Sequence, residues 1–218
     1  MNDVFKVFKI DNISIRPYLS KKNFLIFSII ILIVMIATKS AFTILYMLFF
    51  LMIMYQSYPF LLSEDYGLEM IYRMFGISNK DVVKGRYLWA IVNGIIVLLF
   101  GILISIIFSK FFKENDIDNL EFLSVAVTYY WIYLLMVSIQ YPLMFKLDYK
   151  KARQYSIFPL LLIFVVVVFS LKVVEIEKII EHIIENLKLF SILAILLIAV
   201  IISISIILSN KFYDQKEI

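Results

Sequence analysis

Apolar residues in this chain gather into six long runs: Asn23 to Thr38, Ala41 to Leu62, Tyr87 to Phe108, Leu120 to Met144, Ile157 to Val174 and Phe190 to Leu208. A membrane-crossing helix needs roughly 17 to 25 mostly apolar residues, so these predict six spans, the first of marginal length. Were 23–62 a single helix it would stretch about 60 Å, twice the hydrocarbon thickness, so a tight turn is predicted at Lys39 and Ser40. Two polar stretches show helical spacing of their own. EIEKIIEHIIENLK, residues 175–188, sets Ile176, Ile179, Ile180, Ile183, Ile184 and Leu187 on one side, which predicts an amphipathic helix too short and too charged to cross. Asp3 to Ile15 carries Val4, Phe5, Phe8 and Ile10 among Lys6, Lys9 and Arg16. That pattern suits a short interfacial helix ended by Pro17, with a solvated tail as the competing reading.

The longest polar insert between spans is SEDYGLEMIYRMFGISNKDVVKGR, residues 63–86. A helix is predicted over Glu64 to Phe75, with Leu68, Ile71, Tyr72 and Phe75 on one side and Gly76 where a C-terminal glycine closes a helix. Ser78 then reads as an N-cap, with Asp81 three residues on, for a second helix running through Val82 and Val83 into the third span.

Composition fixes the class. Of 218 residues 63% are hydrophobic and 17% charged, against about 45–50% and about 25% in soluble domains. The fold class is therefore all-α integral membrane protein, a single transmembrane domain over 1–218. No cleavable signal peptide is expected, because a polar segment, 1–22, precedes the first run. Orientation follows from basic residues. Lys6, Lys9, Arg16, Lys21 and Lys22, then Arg73, Lys80, Lys84 and Arg86, then Lys146, Lys150, Lys151 and Arg153, and finally Lys211 and Lys216 all fall on one side. Only Lys39, Lys110, Lys113, Lys172, Lys178 and Lys188 fall on the other, so both termini are expected in the cytoplasm. The insert 63–86 then faces the cytosol and the helix 175–188 the outside. Tyr87, Trp89 and Tyr141 fall where interfacial aromatics are expected. The net charge of +4 is explained by topology and anionic lipid, without nucleic acid.

Candidate chemistry is sparse. There is no cysteine, hence no disulfide or thiolate site, and the sole histidine, His182, lies on the polar face of 175–188. Glycines at 67, 76, 85, 94 and 101 do not fit a phosphate-binding loop, so no ATP site, metal site or catalytic group is expected in this chain. No charge lies near the middle of any span, which removes the usual carrier of an ion-coupled transporter. Gln56 and Gln140 read as interhelical hydrogen bonders. Gly94, Gly101 and Ser105 form a small-residue row in span three, which fits either packing within the chain or a dimer seam.

Two segments carry a family resemblance. FGISNKDVVKGRY, residues 75–87, preceded by Glu64, Asp65 and Glu69, resembles the LPISRKDIVKGRYL pattern after span two of small bacterial ABC-2 type permeases. YPLMFKLDYKKAR, residues 141–153, is similar to that family's YPLYFKFGYEKAR between spans four and five. Phe75-Gly76 stands for the usual Leu-Pro, and Asp148 for a common glycine. The resemblance implies the permease subunit of an ATP-binding-cassette exporter in the bacterial cytoplasmic membrane. It implies a second permease, identical or paralogous, and separate ATPase subunits that bind ATP and magnesium. It also implies a coupling helix after span two, with Glu64, Asp65, Glu69, Tyr72, Arg73, Phe75 and Gly76 at the ATPase contact. Lys146, Asp148, Lys150, Lys151 and Arg153 either touch the ATPase too or serve topology and lipid alone. Relatives with these loops export amphipathic peptides such as phenol-soluble modulins, so peptide or lipid-like cargo is expected, with a drug exporter as the alternative. From the residues alone, a non-transporting membrane protein that recruits a cytosolic partner through 63–86 competes with this reading.

Overall fold

The computed structural model describes residues 2–18, 21–38, 40–112, 119–155, 158 and 187–216, and among them every regular element is helical. In chain order these are α1 (Asp3–Ile15), a 3-10 turn (Arg16–Tyr18), α2 (Lys21–Thr38), α3 (Ala41–Tyr55), α4 (Tyr58–Tyr66), α5 (Leu68–Met74), α6 (Asn79–Phe112), α7 (Asn119–Lys146), α8 (Tyr149–Tyr155) and α9 (Leu187–Gln215).

Among the described residues, four segments are long and apolar enough to cross a membrane: Phe42–Tyr66, Asn79–Lys110, Phe122–Lys146 and Leu193–Gln215. They answer to the second, third, fourth and sixth predicted spans. The first predicted span is helical as α2, but its apolar part, Leu25–Thr38, is shorter than the other four. The fifth, 157–174, lies outside the described residues apart from Phe158, as do residues 175–186 of the amphipathic segment with His182. α2 ends at Thr38 and α3 begins at Ala41, with Ser40 extended between them (φ −120°, ψ 130°), where the turn was predicted.

Proline chemistry shapes two of these helices. Pro59 has no N–H to donate to the carbonyl of Tyr55, and the second span breaks there, α3 giving way to α4 through Gln56 and Ser57. Ser57 turns its hydroxyl back to donate to the Met54 carbonyl at 3.0 Å. Pro142 likewise leaves the Ser138 carbonyl without its helical donor, and the Ser205 hydroxyl of α9 donates to that carbonyl at 2.6 Å.

The chain divides into two compact units, 1–137 and 138–218, with α7 contributing to both. In the first, Ile44 and Leu48 of α3 are buried against Ile31 of α2 and Val97, Ile104 and Phe108 of α6. Leu45 packs with Phe122 and Ala126 of α7 and with Leu98 and Ile102. Leu99, Leu103 and Ile107 lie more than half exposed on another face of α6, which suits contact with lipid tails. The small-residue row faces inward. A Cβ on Gly94 would stand 2.6 Å from the Tyr133 ring, one on Gly101 would stand 3.0 Å from Leu48, and Ser105 is fully buried. The row therefore packs within the chain and is not a surface seam.

In the second unit the rings of Phe145 and Tyr213 meet at 5.2 Å, and the Lys146 ammonium lies 5.0 Å over the Phe212 ring. Asp148 stands 3.9 Å from Lys151 and 3.7 Å from Lys216, while Lys150 and Arg153 are exposed on α8.

Candidate functional site

The polar insert folds as two short helices and a lead-in. Gly67 sits at φ +63°, a left-handed conformation that glycine adopts without a Cβ penalty, and it is at once the C-cap of α4 and the N-cap of α5. The single helix predicted over 64–75 is thus two helices meeting at Gly67. The end of α5 was predicted correctly. Gly76 stands at φ +65°, its N–H donates to the Arg73 carbonyl at 2.9 Å, and the N–H of buried Ile77 reaches the Tyr72 carbonyl at 3.0 Å, forming a Schellman closure. Ser78 caps α6 as expected, accepting the Asp81 N–H at 3.2 Å and donating its hydroxyl to the Asp81 carboxylate at 2.6 Å.

α5 has two unlike faces. Leu68 and Tyr72 are buried, whereas Met70, Arg73 and Met74 are exposed, as are Phe75 after it and Tyr66 before it. Met74 is the most open of the apolar and aromatic ones, at 82%. Glu64 and Asp65 are exposed at the end of α4, and Glu69 is half-buried. Tyr72, expected at a partner contact, is 1% exposed and turned into the protein. Its side chain is an anchor, and Met70 and Met74 occupy the outer face that the sequence reading had not assigned.

Tyr72 is held by α1. Val7, Asp11 and Ile15 recur every fourth residue on α1 and are all fully buried. Val7 rests on Gly85 of α6, where a Cβ would stand 2.6 Å from the Val7 Cβ. One turn on, the Asp11 carboxylate accepts the Tyr72 hydroxyl at 2.5 Å. The indole N–H of Trp89 donates to Asn12 at 3.0 Å. Arg86 completes the group: it is 0% exposed, donates to the Ser63 hydroxyl, and lies 4.5 Å over the Phe60 ring and 5.7 Å from the Tyr72 ring. Arg86, counted toward topology, and Tyr87, Trp89 and Tyr141, expected at interface depth, are all buried by packing. The Tyr18 hydroxyl, just past α1, donates to the Tyr66 hydroxyl at 3.1 Å.

Burial pushes the Asp11 carboxyl up to about 6, against the pull of the Arg86 charge and the Tyr72 hydrogen bond. Burial first, and the Asp11 charge second, hold the Tyr72 hydroxyl well above its ordinary range, so it remains a neutral donor. One carboxylate, one guanidinium and one phenol thus join α1, α4, α5 and α6. This cluster went unpredicted, although an aspartate on the Val7–Ile15 stripe was a visible irregularity.

Among the described residues no group of three or more His, Asp or Glu is placed to hold a metal ion. The arrangement is a packed joint that presents a mixed apolar and charged surface beside long apolar helices. No curated protein and no solved structure matches the chain. A family described as ABC-2 family transporter protein matches residues 7–214, from the buried face of α1 almost to the end of α9. With that match across nearly its whole length, the chain belongs to the ABC-2 family and is a membrane-spanning permease component of an ABC transporter.

Proposed function

We propose that this permease pairs with a second permease, identical or paralogous, and takes up force from separate ATPase subunits through α5, exporting hydrophobic or amphipathic cargo, peptides first among them. The observation that carries the reading is the two-faced α5: Leu68 and Tyr72 are anchored inside, while Met70, Arg73, Met74 and Phe75 stand open beside half-buried Glu69. Apolar side chains ringed by charge suit a protein interface, in which methionine and arginine are enriched. The excess of Lys and Arg flanking this face supports a cytosolic position for it, with both termini on the same side of the bacterial cytoplasmic membrane. Lys150 and Arg153, exposed on α8, suit contact with the ATPase or with anionic lipid.

The cycle is alternating access. ATP and magnesium bound by the partner draw the ATPase pair together, the two α5 helices follow, and the spans change their opening. Spans without a charge near their middle suit apolar cargo better than ions. Purification of the full chain in mild detergent tests the docking: the wild type is recovered with an ATP-binding-cassette ATPase, and Met74→Glu lowers that recovery at least about fivefold, the effect of a buried interface charge. Equal recovery refutes the docking face. Stimulation of ATP hydrolysis by amphipathic peptides, set beside lipids and small drugs, tests the cargo.

A further inference from the structure

A force taken up by α5 has to reach α6, and only residues 75–78 of the backbone join them. Two of these are an exposed phenylalanine and a glycine in a left-handed turn, so this short link is one route between the helices and side-chain packing is the other. We infer that Asp11 is a positioning residue that clasps α5 to α6, so that α1 carries displacement of the coupling helix into the third span. The inference rests on the reading of α5 as the coupling helix. Its geometry is independent of that reading.

Asp11 lies at the meeting point of the elements concerned. From α5 it receives the Tyr72 hydroxyl at 2.5 Å, and from α6 it feels the Arg86 charge. Arg86 in turn holds Ser63 and Phe60 of α4. On either side of Asp11, α1 is fixed to α6 by Val7 against Gly85 and by Asn12 on the Trp89 indole. Thus α1 is seated on α6 at two points and reaches α5 with the side chain between them. A leucine in place of Asp11 would continue the Val7–Ile15 stripe and avoid burying a carboxyl, but it would remove the carboxylate that faces the buried Arg86 charge and the Tyr72 hydroxyl. What leucine cannot supply is a directional bond to Tyr72 beside the Arg86 charge.

Hydrogen exchange of the full-length permease in lipid nanodiscs, without ATPase, tests the clasp through Asp11→Leu, Asp11→Asn, Tyr72→Phe and the Asn/Phe double variant. Asp11→Leu keeps residues 3–15 protected within about threefold while amides of α5 lose about tenfold, the loss of one charge-assisted hydrogen bond. Asp11→Asn retains an acceptor and restores part of that protection, and the double variant is no worse than the worse single. The charged or titratable groups facing Asp11 are Tyr72 from α5 and Arg86 from α6; α4 contributes uncharged Ser63 and Phe60 to the same cluster. Between pH 5 and 7.5, corrected for intrinsic exchange, α5 protection therefore responds in the wild type and stays flat in Asp11→Asn.

Unchanged α5 protection in Asp11→Leu overturns the clasp, as does equal loosening of α1 and α5 without rescue by asparagine. If the wild type copurifies with its ATPase and Asp11→Leu couples hydrolysis to cargo equally well, the positioning role also falls. Should α5 loosen as stated but no ATPase be recovered with the wild type, the clasp stands and the coupling reading fails.

Discussion

Replacing Gly85 by alanine is expected to lift α1 from α6. The added Cβ would stand 2.6 Å from the Val7 Cβ, 2.7 Å from its Cγ1 and 3.0 Å from the Val4 carbonyl oxygen. Carbon atoms rest at about 3.5–4.0 Å, so relief requires α1 to retreat by about 1 Å, since a Cβ and a main-chain oxygen cannot rotate away. A shift of that size takes the Asp11–Tyr72 contact from 2.5 Å to the edge of hydrogen-bonding range and the Asn12–Trp89 contact from 3.0 Å beyond it. Overpacking costs about 1–3 kcal/mol. Two weakened hydrogen bonds add about 1 kcal/mol, and the better helix propensity of alanine returns about as much. The net expectation is about 1–3 kcal/mol against docking, or about a 5- to 150-fold loss of protection over residues 3–15 by hydrogen exchange in nanodiscs. Gly101→Ala is the control, because its Cβ meets the flexible ends of two side chains, Leu48 at 3.0 Å and Leu45 at 3.4 Å. Protection of 3–15 within twofold of wild type in Gly85→Ala would refute the seating of α1 on α6.

Acidification should tighten the same contact. Asp11 binds its proton more strongly when docked, at about 6 against 3.8 in water, so its stabilising contribution is complete below 3.8 and disappears as pH rises through 6. Linkage then gives about tenfold stronger protection of 3–15 at pH 5 than at pH 7.5, after correction for intrinsic exchange; the opposite trend would contradict the burial of Asp11. Ser205→Ala should cost about 1 kcal/mol in thermal unfolding by removing the donor to the Ser138 carbonyl, and adding Pro142→Ala should recover most of it by restoring the helical N–H. Failure of the second change to help would count against that account. Gly76→Ala has open space for its methyl but a φ of +65°, so about 1–2 kcal/mol of local stability is lost, read as faster exchange at 68–77. No change there would deny the left-handed closure.

The helical periodicity and capping signals were legible where they act over a few residues. The helix over Asp3 to Ile15, the break before Ala41, the Gly76 closure and the Ser78 cap are local devices, and the chain forms each of them. Gly67 escaped notice because Leu68, Ile71 and Tyr72 keep helical spacing after it, and spacing does not report a change in helix axis. The Pro59 break was missed because Ala41 to Leu62 was read for length and hydropathy alone. Burial of Arg86 and Asp11 was illegible for another reason. A charge advertises solvent or topology until its partners are known, and Tyr72 meets Asp11 across 61 positions of chain. The inward turn of Tyr72 depends on that same meeting, so a phenol grouped with the contact residues proved to be the anchor beneath them.

Gly67 gives the joint an indexing property. It ends one helix and begins the next without an intervening residue, and Gly76 closes the second after the seven residues of α5 and Phe75, so α5 is a part of fixed length clamped at both ends. Adding or removing one residue between these glycines would rotate the rest of the helix by about 100° and exchange Tyr72 for a neighbour at the buried position. Point changes at Met70 or Met74 leave that phase untouched. The outer face is therefore open to retuning for a different partner, while the number of residues that carries it is not.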